Sequence, residues 1–144
     1  MEKKSALLIA FFFMLFSAFP AQAAEKTPEE MVKEAKAAIK EASVDEVKKI
    51  VDEKKSTVVL LDVRDSNELE QGMIPGAINI SRGQLEFKVP MILPDRNAKI
   101  IVYCGLDLRS PLATKTLNDL GYRNAVNMAG GLKAWKEAGF PLAK

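Results

Sequence analysis

Residues Lys99 to Tyr122, KIIVYCGLDLRSPLATKTLNDLGY, constrain the fold more than any other stretch. Ile100-Ile101-Val102-Tyr103 is an apolar run that stops at Cys104, the length and composition of a buried strand in a parallel sheet. Ser110 has the chemistry of a helix N-cap, and Pro111 suits the first helical position because its missing N–H would have no partner there. Leu112, Ala113, Thr116, Leu117 and Leu120 then share one helical face, and Gly121 supplies a left-handed stop. The segment reads strand, loop, helix.

Open α/β sheets bind ligands at the carboxyl ends of their strands, where Cys104 falls. Free N–H groups and the positive end of a helix dipole favour an anion in such a loop. A thiol whose ordinary pKa is about 8.5 is driven toward thiolate in that setting. Two readings of Cys104 are open: an activated nucleophile, or the small buried hydrophobe that a free cysteine often is. Gly105 directly after it and Arg109 nearby favour the reactive one.

Composition narrows the chemistry. A chain of 144 residues has room for one ordinary domain, and 48% apolar with 28% charged residues is a globular balance. The net charge of +2 comes with lysines interleaved among glutamates, which excludes a nucleic-acid partner as the reading of choice. With no histidine, the chain cannot build a Cys–His dyad, a Ser–His–Asp triad or a histidine-ligated metal site.

The N-terminus reads as a targeting segment. Met1-Glu2-Lys3-Lys4 is a positive start, Ala6 to Phe19 an uncharged apolar run, and Pro20-Ala21-Gln22-Ala23-Ala24 a small-residue cleavage region. The apolar run would reach about 21 Å as a helix, short of a hydrocarbon core of about 30 Å. The expectation is a signal peptide over residues 1–23, cut after Ala23, with an uncleaved anchor as the alternative and no stable membrane span after cleavage. The mature protein is then periplasmic or secreted. In an oxidising compartment structural cysteines come in pairs, so the lone Cys104 is better explained by chemistry than by packing.

In chain order, Thr27-Pro28-Glu29-Glu30 is a capping box opening a helix through Glu25 to Ala42, an N-terminal helical extension over residues 24–42. That helix packs on the domain or serves a partner. A second box, Ser43-Val44-Asp45-Glu46, restarts the helical pattern and marks the start of the catalytic domain, residues 43–144. Thr57 to Val63 reads as a strand and Ser66 to Gln71 as a polar helical turn, with Asp62 and Arg64 tying loops together or facing the site. A short strand follows at Ala77 to Ile80, then a short helix and a loop with exposed apolar surface within Ser81 to Leu93. Asn124 to Met128 is the last strand and Leu132 to Ala138 the last helix, with Trp135 in the core. Alternating strands and helices predict a parallel sheet covered on both faces.

The series LLDVRDSNELEQGMIPGAINI, IIVYCGLDLRSPLATKTLNDLGY and NAVNMAGGLKAWKEAGFPL resembles, in order, the motifs of the rhodanese-like (sulfurtransferase) domain over roughly Ser43 to Leu142. The resemblance implies the rhodanese-like fold, a five-stranded parallel sheet between helices. It implies that Cys104 carries sulfane sulfur as a persulfide, and that Gly105, Leu106, Asp107, Leu108, Arg109 and Ser110 form the loop that binds substrate. Sulfurtransferases of this family have four residues between the cysteine and the arginine, the related phosphatases five; here there are four, Gly105 to Leu108. Asp107 stands where the family usually has glycine, and Met73 where it commonly has histidine. Leu106 and Leu108 make the loop more apolar than usual, which suits polysulfide or a protein persulfide better than thiosulfate.

The implied function is sulfur transfer from thiosulfate or a polysulfide or persulfide donor to a thiophilic, thiol- or cyanide-like acceptor. It requires no metal and no organic cofactor, and leaves room for a homodimer or a protein sulfur acceptor. The alternative is a non-catalytic rhodanese-like module that binds sulfur species or a partner, a reading that the carboxylate of Asp107 favours.

Overall fold

The computed structural model describes residues 25–53 and 57–144; the signal peptide read on residues 1–23 lies outside the described residues. In chain order the elements are α1 (Pro28–Ala38), β1 (Lys40–Ala42), α2 (Val44–Asp52), β2 (Val58–Asp62), β3 (Ile78–Asn79), α3 (Leu85–Ile92), β4 (Lys99–Tyr103), α4 (Arg109–Asp119), β5 (Ala125–Met128) and α5 (Gly131–Glu137). Short 3-10 turns occupy Ser66–Gln71 and Arg82–Gln84. The strands form one five-stranded parallel sheet in the order β1-β5-β4-β2-β3. Among the described residues, no helix is long and apolar enough to cross a membrane.

Side chains on a strand alternate between faces, and here both faces are covered. Leu61, Ile100, Val102 and Cys104 meet Leu85 and Val89 of α3 and Ala113 and Leu117 of α4. Leu60, Ile101 and Tyr103 point the other way, onto Val47 of α2 and Leu132 and Trp135 of α5. Double coverage is why β4 reads as an unbroken apolar run. Trp135 is fully buried, with its indole N–H donated to the Pro141 carbonyl at 2.9 Å. The apolar surface expected within Ser81 to Leu93 is present on α3, where Phe87 and Met91 are exposed.

The N-terminal segment departs from the expected single helix over Glu25 to Ala42. The Thr27 capping box forms, but α1 ends at Ala38 and Ile39 turns extended. Residues Lys40–Ala42 become an edge strand, pairing Lys40 with Val126 and Ala42 with Met128. The last carbonyls of a helix lack intrahelical partners, whereas a strand docked on β5 satisfies its backbone against the sheet. The Ser43 box then starts α2 as read. The sheet thus begins before Ser43, and α1 packs against α4 with Ala35 fully buried.

At the carboxyl end of β2 a buried ion pair ties three segments together. Asp62 is fully buried and Arg64 is 1% exposed. The Arg64 guanidinium donates to Asp62 Oδ2 at 2.6 Å, to the Gly72 carbonyl at 2.8 Å and to the Glu68 carbonyl at 3.0 Å. Burial works against the Arg64 charge, but the bond to Asp62 and its negative charge outweigh that and hold the guanidinium's pKa above the ordinary value. Asn79 closes the arrangement by donating to the Asp62 and Arg64 carbonyls. Of the two readings of this pair, tying loops together matches these contacts.

Removing one member of a buried pair strands the other charge. Arg64→Met is therefore expected to destabilise the fold by about 3–5 kcal/mol, read as a lower denaturant midpoint at unchanged slope. A midpoint equal to that of the parent chain would show the pair to be dispensable.

Candidate active site

Cys104 stands at the carboxyl end of β4 on the α4 face, 1% exposed, and residues 105–108 loop over it into α4. The loop is held from behind by α5. The Leu132 N–H donates to the Cys104 carbonyl at 2.8 Å, and the Lys133 N–H donates to the Gly105 carbonyl at 3.0 Å. These peptides are trans, so the N–H groups of Gly105 and Leu106 point away from α5. Among the described residues, the amides of Gly105, Leu106, Asp107 and Leu108 have no acceptor.

This docking requires a glycine at 131. Gly131 has φ +61, and a Cβ there would lie 2.7 Å from the Cys104 carbonyl oxygen and 2.9 Å from the Asp107 nitrogen. Those contacts are backbone and cannot swing aside. The Gly130-Gly131 pair that reads as a turn in the sequence is therefore also the floor of the loop.

Ser110 does not cap α4. The helix begins at Arg109 after Leu108, which makes no side-chain cap, so Ser110 and Pro111 lie inside its first turn. Ser110 is fully buried, its hydroxyl has no partner among the described residues, and its N–H donates to Cys104 Sγ at 3.4 Å. The sulfur takes the place of the capping acceptor. That is the physical reason for the difference: the N-terminal amide is satisfied by the residue six positions upstream rather than by a neighbouring hydroxyl.

Asp107 adopts φ 61, making it the one non-glycine residue with positive φ among the described residues. A short polar side chain tolerates that region better than most. Its carboxylate is directed to other segments: Oδ2 accepts from Lys36 Nζ of α1 and from the Gly130 N–H at 3.0 Å, and Oδ1 accepts from Asn127 Nδ2 at 2.8 Å. Asn127 also donates to Glu41 Oε1 of β1 at 2.8 Å. Leu106 and Leu108, by contrast, stand out at 65% and 55% exposure. Clefts of about 420 Å³ and 390 Å³ flank them, the first bounded by Leu132 and Lys133 and the second by Lys33 and Lys36.

The Arg109 fork is occupied by Glu68, with Nη1 to Oε2 at 2.6 Å and Nη2 to Oε1 at 2.8 Å. This bidentate bond draws the Glu68 carboxyl down to about 2 against the opposing effect of burial, and it raises the Arg109 pKa above its ordinary value. Arg109 therefore braces the loop against the turn at Ser66–Gln71, with its guanidinium engaged rather than open to a sulfonate. Met73 is likewise structural, exchanging two backbone hydrogen bonds with Ala143 at 2.8 Å each.

The structure brings the Ser110 amide to the Cys104 sulfur and engages the Arg109 side chain with Glu68. It adds Lys36, Glu68, Asn127 and Gly131, which sequence reasoning left out. Glu68 had a local signal, since Asp65 and Glu68 form a third capping box. For Lys36 and Asn127 there was none, because both meet Asp107 across long sequence separations.

Residues 43–138 match the family described as "Rhodanese-like domain", and the chain belongs to that family. A "Sulfurtransferase" of Allochromatium vinosum is 34% identical over 85 residues, covering 59% of this chain and 78% of that protein. A protein of unknown function from Rhodopseudomonas palustris, described as a possible tyrosine phosphatase, superposes with TM-score 0.77 at 33% identity, over 85% of this chain and 98% of its own. The polysulfide-sulfur transferase homodimer of Wolinella succinogenes gives TM-score 0.68 at 32% identity, covering 78% of this chain and 83% of that one.

Two outcomes follow from this geometry. Gly131→Ala should destabilise the protein by about 2–4 kcal/mol through forced φ and backbone overlap, and disturb the loop more than the sheet; thermal melts and amide exchange at 105–110 measure both. Glu68 has a depressed folded-state pKa, so on acidification the unfolded chain takes up its proton first. The pair's stabilisation is therefore complete above about pH 4.5 and lost as pH falls toward about 2. Because both partners are partly exposed, Glu68→Gln should lower stability at pH 7 by only about 1 kcal/mol, with the difference from the parent closing across that acid window.

Proposed function

We propose that this member of the rhodanese-like family is a sulfurtransferase that works by double displacement through a Cys104 persulfide. The Cys104 thiolate attacks the outer sulfur of a donor. With thiosulfate, the S–S bond breaks and sulfite leaves with the electron pair. The resulting Cys104–S–S⁻ carries its charge into the loop, toward the amides of Gly105 to Leu108 and the α4 N-terminus. A thiophilic acceptor then takes the outer sulfur, as cyanide does in forming thiocyanate, and the thiolate returns. Protons and electrons balance without a metal or an organic cofactor.

The observation that carries this reading is the Ser110 N–H on Cys104 Sγ at the head of α4, with both loop carbonyls drawn off by α5. The Ser110 N–H faces the sulfur while the Cys104 and Gly105 carbonyl oxygens are held on α5. The non-catalytic alternative draws on the charge of Asp107, and that carboxylate is engaged by Lys36, Asn127 and Gly130. The four-residue loop supports sulfur over phosphate chemistry. The exposed Leu106 and Leu108 and the two clefts favour a polysulfide or persulfide donor over a small hydrophilic anion. The basic start and apolar run over residues 1–23 favour an exported, periplasmic or secreted protein.

Mass spectrometry after incubation with thiosulfate or polysulfide should show about 32 Da added at Cys104, absent in Cys104→Ser, and cyanide should remove it as thiocyanate. An unmodified cysteine with both donors overturns the reading, and hydrolysis of an aryl phosphate would replace it with the phosphatase class.

A further inference from the structure

We infer that Lys36, on the helix that precedes the matched family segment, is a positioning residue of the sulfur site, acting through Asp107 to keep that carboxylate's charge off Cys104 and the loop in register. Residues 43–138 carry the family match, so this lysine lies outside it. The inference rests on the sulfur-transfer reading only in taking Cys104 as the reacting atom.

Four observations carry it. Asp107 is 8% exposed, and a buried carboxylate needs a countercharge as well as hydrogen bonds. Its partners Asn127 and the Gly130 N–H are neutral, which leaves Lys36 as the cation bonded to it among the described residues. The two arginines near the loop are engaged elsewhere: Arg109 by Glu68, and Arg64 by Asp62. Lys36 also lies 3.8 Å from Glu41 of the edge strand β1.

The charged groups around the thiol come from each element packed there. Asp107 and Arg109 belong to the loop and α4, and Lys36 and Glu41 to α1 and β1. Glu68 and Arg64 come from the connection after β2, and Lys133 from the first turn of α5. The Asp107 bond, with the nearby negative charges, holds the Lys36 ammonium above its ordinary pKa despite partial burial. Taking Lys36 away leaves Asp107 as an uncompensated anion three residues from the nucleophile. A unit charge about 6 Å away changes a thiolate's population by about threefold at the dielectric of water, and by more where solvent is excluded.

The test reads the rate of Cys104 alkylation by iodoacetamide at neutral pH in the full mature chain, which needs no sulfur donor. Lys36→Met should slow alkylation by about threefold or more, and Lys36→Gln, which keeps a donor on Asp107 but removes the charge, should do the same. Lys36→Arg should restore the parent rate. In an Asp107→Asn background, Lys36→Gln should have a much smaller effect. An equal slowing with and without the Asp107 carboxylate, or a lowered melting temperature with no change in rate, overturns the inference and leaves Lys36 a stability residue. A protein that shows the alkylation pattern but takes no sulfur keeps the inference and loses the transferase reading.

Discussion

The site depends on which way two peptide planes face. The carbonyls of Cys104 and Gly105 are bound by the first amides of α5, and that fixes the rest of the turn. A loop over a sulfur has carbonyl oxygens that would repel an anion and N–H groups that would attract one, and trans peptides cannot present both inward. Docking the oxygens on a helix N-terminus settles the choice. The requirement propagates: α5 must approach within backbone contact, so residue 131 must lack a Cβ, so the chain after β5 must turn through paired glycines. Trp135 and Leu132 then anchor α5 to the sheet from its other side.

Charge around Cys104 is arranged by the same economy of orientation. Three ion pairs surround the loop, and each is closed upon itself: Asp62 with Arg64, Glu68 with Arg109, and Asp107 with Lys36, whose ammonium also lies 3.8 Å from Glu41. No one of them delivers a bare charge to the sulfur. What remains uncompensated is the field of the α4 terminus and the loop amides, which is directional and does not depend on a titrating partner. In a chain without histidine, that is the available route to a stabilised sulfur anion.

How much of this could be read from the sequence follows from how local each interaction is. The strands β2, β4 and β5, both N-terminal capping boxes and the burial of Trp135 rest on runs and near neighbours, and the residues declare them. The edge strand Lys40–Ala42 was hidden because three residues carry no period, and their extended state depends on β5 lying alongside, far along the chain. Ser110 misled for a related reason: as a residue type it signals a cap, yet the acceptor that decides the helix start is the sulfur of Cys104. At Asp107, where the family usually has glycine, the backbone takes a positive φ that glycine adopts freely and aspartate tolerates. The direction of its carboxylate was not legible in the sequence, because Lys36 and Asn127 approach from α1 and β5.

The N-terminal extension changes meaning in this light. An appended helix whose apolar stripe is mostly alanine buries little, and by itself would be a weak addition to the domain. Here it arrives with an edge strand behind it, so α1 is fixed at one end by β1 on the sheet and along its length by Ala35 on α4. That double fixation is what lets a flexible lysine side chain, with several rotatable bonds to immobilise, hold a defined position against Asp107. A glycine at 107 would need no such partner. An aspartate there binds the reactive loop to the helix and to Asn127 and Gly130, and the loop's geometry becomes conditional on an element outside the matched family segment.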